Sequence, residues 1–120
     1  MDTIAPTFME FANQIKLYHW KTKSYARHKA TDKFLQLFNE KFDRLIETIM
    51  GSKDKRVYDK FKLTLTTHDD KTIIDCVKNF RLFLNKDFNT LVDKKDTDLL
   101  NIRDEILADT NRMLYLFTLK

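Results

Sequence analysis

The sequence predicts an all-α fold, an antiparallel four-helix bundle with one long crossover between the second and third helices. Three observations predict it. The 120 residues include one glycine and one proline, too few for sheets joined by tight turns. Apolar residues recur at spacings of three and four along four separate stretches, as on helices with one buried face. The breaks between those stretches are short, long and short, a pattern that joins two antiparallel hairpins by one crossing.

The first helix is expected from about Thr3 to Thr22, with Ile4, Phe8, Phe11, Ile15 and Tyr18 on its inner face. Thr3 is a natural N-cap, and Pro6 falls in the first turn, where its missing N–H costs nothing. The second runs from about Ser24 to Met50, with Phe34, Phe38, Phe42, Leu45 and Ile49 inward and Gly51 as a left-handed stop. Residues 51–70 read as a long crossing connection, in which 57–61 suits one helical turn and Phe61, Leu63 and Leu65 alternate like an extended stretch. The third helix is expected from about Asp70 to Val92. Asp69 and Asp70 stand at its positive end, and Ile73, Val77, Phe80, Leu84, Phe88 and Leu91 form its stripe. After a hinge at 93–96, the fourth runs from about Thr97, as cap, to Leu119, with Leu99, Ile102, Ile106, Met113 and Phe117 inward.

Hydrophobic residues make up 42% and charged residues 33% of the chain, the balance of one globular domain over residues 1–120 rather than of a disordered chain. The net charge of +4 permits contact with nucleic acid or an acidic surface without demanding it. No apolar run reaches a membrane span. The N-terminus has neither a basic nor an apolar leader region, and the single Cys76 cannot form an internal disulfide. An intracellular, cytoplasmic location is therefore expected. Cys76 itself reads as a small buried hydrophobe.

The chemistry concentrates between residues 19 and 47. His28 and Asp32 are four apart on the second helix, and so are Asp43 and Glu47; each pair shares a face. From Asp32 to Asp43 is close to three turns, so all four lie on one stripe. His19, at the end of the first helix, can lie beside His28. The two pairs are nevertheless separated by roughly 16 Å along the axis, and ligands to one ion must stand within about 2.0–2.5 Å of it. One subunit cannot close such a site. An antiparallel second copy places Asp43 and Glu47 of one chain opposite His19, His28 and Asp32 of the other, twice per dimer. Imidazole with carboxylate suits iron, manganese or zinc better than calcium or magnesium.

The residues Tyr18-His19-Trp20, Tyr25-Ala26-Arg27-His28, Asp32 and Asp43-Arg44-Leu45-Ile46-Glu47 resemble the Dps-type mini-ferritins, and the tail 114–119 is similar to the end of that family's last helix. The resemblance implies a ferritin-like bundle and a ferroxidase site shared between two-fold-related subunits. It implies that His19, His28, Asp32, Asp43 and Glu47 hold iron, with Glu47 bridging or nearest the metal. The turn between the histidines is shorter than the family's, and no Lys-rich segment precedes the first helix. Short members in large DNA viruses and phages are similar in length, which would place the chain in a host cell or virion. The Glu-x-x-His pairs of ordinary ferritins are absent, and His68 has no such partner.

Trp20 reads either as a core ring or, beside a ferroxidase centre, as a nearby oxidisable ring. Lys21, Lys23, Arg27, Lys29 and Lys33 cluster around the first turn, opposed only by Asp32. They form either a solvated turn or a contact for phosphate or an acidic partner. Two functions follow. One is a homo-oligomeric ferroxidase oxidising Fe(II) with peroxide or oxygen. The other is a structural or DNA-associated protein that keeps the dimer without the iron chemistry.

Overall fold

The computed structural model describes residues 1–57 and 59–120. Its helices are α1 (Ile4–Lys21), α2 (Tyr25–Lys53), α3 (Thr72–Asn85), α4 (Asp87–Leu91) and α5 (Thr97–Leu116). Among the described residues there is no strand. The four long helices close a ring: α2 packs on α1 and α5, and α3 packs on α1 and α5. The helical-bundle expectation is met.

The core is built from rings. Phe8, Phe11, Phe34, Phe38, Phe80 and Phe88 are buried. Phe11 and Phe80 stack across the α1–α3 contact with centroids 3.9 Å apart. Phe8 meets Phe38 at 5.7 Å and Phe80 edge-on at 5.2 Å. The expected inner faces of α1 and α5 are buried throughout; on the others, Phe42 is partly covered and Leu91 is 39% exposed.

Residues 54–71 join α2 to α3 along the side of α1. Val57 and Phe61 border a small cavity with Met1, Ala5 and Pro6. The Thr64 N–H donates to Glu10 Oε1 at 3.0 Å and the Thr66 N–H to Gln14 Oε1 at 3.2 Å. At the far end the Tyr18 and Thr22 hydroxyls donate to Asp70 Oδ1 at 2.6 and 2.8 Å. The segment thus starts beside the N-terminus of α1 and finishes beside its C-terminus. No helix or strand forms among its described residues; the single turn expected over 57–61 includes Tyr58, which lies outside them.

Three expected ends move. Gly51 lies inside α2, and the left-handed residue is Asp54, at φ 54°. A side chain at 51 would meet open space, so no close approach requires glycine there, and Asp tolerates the left-handed region. The expected third helix breaks at Lys86 (φ −119°, ψ −68°). Side chains take the carbonyls near the break: Arg103 Nη1 donates to Leu84 O at 2.9 Å, and Asn89 Nδ2 to Asn85 O at 2.8 Å. Finally, α5 stops at Leu116, and Asp96 rather than Thr97 occupies its cap position. Thr3 is the residue before α1 but makes no side-chain cap bond.

Asp69 caps α3. Its Oδ1 accepts from the Lys71 and Thr72 N–H groups at 2.9 and 2.8 Å, while Thr72 Oγ1 accepts from the Asp69 N–H at 3.1 Å. This reciprocal pair satisfies donors that a helix start leaves open.

Candidate metal centre

Only Thr22, Lys23 and Ser24 separate α1 from α2. Ser24 starts α2 by accepting the Arg27 N–H at 3.2 Å. So tight a turn lays the last residues of α1 against the first of α2, and His19 and His28 stack with ring centroids 4.0 Å apart and 16° between planes. Their backbone bonds are reciprocal. His19 Nδ1 lies 2.9 Å from His28 O, and His28 Nδ1 lies 2.9 Å from His19 O. A carbonyl only accepts, so each Nδ1 carries a proton. In the neutral ring that leaves the lone pair on Nε2, the arrangement in which imidazole binds metals.

Thr31 completes the support. It is fully buried, its Oγ1 stands 2.9 Å from His19 Nδ1, and its hydroxyl reaches Arg27 O at 2.8 Å. The sequence reading did not single it out. Its signal was a polar residue one turn beyond His28 on the buried side of an otherwise apolar stripe.

Near-parallel stacking limits what the pair can do. An imidazole lone pair lies in the ring plane, and two planes this far apart with so small a tilt do not converge within about 2.1 Å of both nitrogens. In this arrangement each Nε2 could hold only an ion of its own, and one ring would have to turn for both to hold the same one.

Asp32 follows His28 by one turn of α2, is exposed, and accepts from Gln36 Nε2 at 3.4 Å. Asp43 and Glu47 are also exposed. They border an open depression of about 340 Å³ shared with Glu40 and Glu105, in which Arg44 pairs with Glu105. They are not brought to the histidines. Among the described residues of one chain, no three His, Cys, Asp or Glu side chains gather to hold a metal.

Two sequence readings are corrected here. Trp20 is not a core ring: it is 66% exposed, with Lys16 Nζ 5.6 Å from its centroid. The face of α1 that carries it points away from the bundle, because Tyr18 and His19 take the inward positions. Arg27 is not available to phosphate. Its guanidinium donates to Tyr18 Oη at 3.0 Å, Asp70 O at 2.6 Å and Phe117 O at 3.2 Å, and covers the Phe117 ring. It ties the first turn to the start of α3 and the end of α5. Lys21, Lys23, Lys29 and Lys33 stay exposed. The fold also brings Asp69, Asp70 and Lys71 against Lys21 and Lys23, so Asp32 is not the only acid opposing the cluster.

Electrostatics at this end follow from Asp70. The hydrogen bond from Tyr18, then that from Thr22, holds its carboxyl below the usual range. Burial, then the bond to Asp70, pushes the Tyr18 phenol up. Burial alone pushes the Cys76 thiol up to about 11, which suits an inert, half-buried side chain.

No curated protein and no solved structure matches the chain. Residues 19–117, from the first stacked histidine to the phenylalanine whose carbonyl Arg27 holds, match a family of unknown function, DUF5856, and the chain belongs to that family.

Proposed function

We propose that the chain is a ferritin-like bundle, resembling the Dps-type mini-ferritins, that binds Fe(II) as substrate at a site shared by two copies and oxidises it with peroxide or oxygen. The observation that carries this reading is the histidine pair. Both rings are oriented by Nδ1–H bonds to backbone carbonyls, and both Nε2 atoms are left as ligands. The path of residues 54–71 beside α1 supports a crossover between two hairpins, which makes α2 and α3 parallel.

In the shared site, His19, His28 and Asp32 would face Asp43 and Glu47 of the second copy. Each bound Fe(II) would give up one electron, so two ions would be oxidised per peroxide and four per oxygen reduced to water. The chain's own residues position the iron: Thr31 and the two carbonyls hold the imidazoles in one tautomer, and the carboxylates balance the charge. Trp20, exposed next to His19, would stand as an oxidisable ring at the seam.

The test uses His28→Asn and Asp43→Ala. In His28→Asn the amide nitrogen stands where Nδ1 stood, so the bond to His19 O can persist while Nε2 is lost. Each variant should keep its helical circular dichroism and lose rapid Fe(II) oxidation. The double variant should be no worse than either single one, because both remove ligands of one centre. A mixed dimer of the two variants has one centre lacking both ligands and one intact, so subunit exchange should restore partial activity. No recovery despite proven exchange would count against the shared site.

A non-catalytic reading has one observation in its favour. The reciprocal histidine bonds close the α1–α2 turn and have a structural use with or without metal. That reading predicts a wild-type protein that neither binds nor oxidises iron. In its DNA-associated form it further predicts salt-sensitive DNA binding that weakens in Lys21→Ala and Lys23→Ala, with a log–log slope of about −0.9 per phosphate contact.

A further inference from the structure

A groove lies elsewhere, between α1, α3 and the connection that runs beside them. It encloses about 430 Å³. Its floor is aromatic: Phe11 and Phe80 lie stacked at an interplanar angle of 5°, and Phe83 continues the stack at 18° to Phe80. Its walls carry Glu10 and Gln14 from α1, His68 from the connection and Asp75 from α3.

The charge of this lining runs against that of the chain. The protein has 22 Lys and Arg residues and a net charge of +4, yet none of those cations lines the groove. Neither Glu10 nor Asp75 belongs to an ion pair among the described residues. Glu10 is held in place, because its Oε1 accepts the Thr64 N–H, and Gln14 is held in the same way by Thr66. These acceptors are positioned before any ligand arrives, which lowers the cost of binding.

One polar atom of the lining residues lacks a partner. His68 Nε2 is buried with no hydrogen bond, while Nδ1 lies 3.2 Å from Thr72 Oγ1. A buried polar atom without a partner costs free energy.

We infer that this groove is a binding site for a small organic cation with a flat or apolar body: an amidinium, a guanidinium or an amine. The apolar body would lie along the phenylalanine floor. The charged N–H groups would meet Glu10 and Asp75. The site is separate from the histidine pair and does not depend on metal.

Titration of the whole protein with benzamidine in the presence of a chelator, followed by amide NMR shifts, tests the assignment. Benzamide serves as the neutral isostere and benzoate as the anion. Benzamidine should bind saturably, with shifts centred on residues 10, 14, 66, 75 and 79, and about tenfold or more tighter than benzamide. Benzoate should not bind. Glu10→Gln keeps an oxygen for the Thr64 N–H, and Asp75→Asn sits on an exposed position, so both variants should fold; each should weaken benzamidine about tenfold. The inference is overturned if wild-type protein binds benzamidine no better than benzamide, or if the shifts map to the depression beside Asp43 and Glu47. Equal binding by the folded double variant overturns it as well.

Discussion

Asp70 accepts the Tyr18 hydroxyl, and that contact has a measurable pH consequence. Its carboxyl is held below the ordinary value of 3.8 by the bonds from Tyr18 and Thr22. Asp69 is lowered by the Thr72 and Lys71 amides, and Asp96 by Lys53. A carboxyl lowered on folding binds fewer protons in the native state than in the unfolded one. It therefore contributes stability that is present above the unfolded pKa and lost as pH falls through the folded one. Thermal melts followed by circular dichroism should give a level midpoint down to about pH 5 and a decline below about pH 4. Asp70→Asn should lower the midpoint at neutral pH and flatten the acid limb. An acid limb of unchanged slope in that variant would remove Asp70 from the account. Tyr18 has the opposite sign: its raised pKa favours the fold below the usual value of 10 and loses that advantage as pH rises further.

At the scale of the element, α2 is the longest helix and carries every proposed ligand except His19. Ion pairs tie it to α5 at Lys41–Asp109, Arg44–Glu105 and Lys53–Asp96. Being exposed or only partly covered, these pairs are worth little individually and serve mainly to set register. Gly51 is the weak position of the helix. It is helical, exposed and free of any neighbour that a Cβ would meet. Gly51→Ala should therefore stabilise the protein by about 0.5–1 kcal/mol, because alanine loses less backbone entropy in a helix. Urea denaturation should show a higher midpoint with an unchanged slope. A lower midpoint would mean that the end of α2 needs glycine after all. The break at Lys86 behaves differently, since Arg103 spans it by bonding both Leu84 O and Asn89 Oδ1.

At the scale of the whole molecule, two exposed rings bear on assembly. Trp20 is 66% and Tyr25 73% exposed, and both flank the α1–α2 turn beside the histidine pair. The proposed seam lies along α1 and α2 and would cover these rings. Light scattering at micromolar concentration should give at least twice the 14.4 kDa of one chain. Trp20 fluorescence should shift to the blue as the protein is concentrated through its association range. A monomer that still binds iron tightly would sink the shared site.

The sequence by itself determined the helical class, the inner faces and the closeness of His19 to His28. Each is set by local rules: a 3.6-residue period, the rarity of glycine and proline, and a short turn that leaves neighbouring helix ends no other place to go. Residues such as Phe8, Phe38 and Ile106 therefore sat where their spacing put them. Contacts between distant segments were decided only in three dimensions. Arg27 looked like a surface cation until α3 and the end of α5 supplied three acceptors for it. Trp20 looked like a core ring until Tyr18 and His19 took the inward positions. The break at Lys86 depended on which side chains reached free carbonyls, and the end of α2 on the left-handed turn at Asp54. The groove between α1 and α3 is drawn from segments more than fifty residues apart, and no periodicity in the chain records it. Spacing along a helix reports which face a residue shares, whereas charge pairing and cavities depend on what the rest of the chain brings to that face.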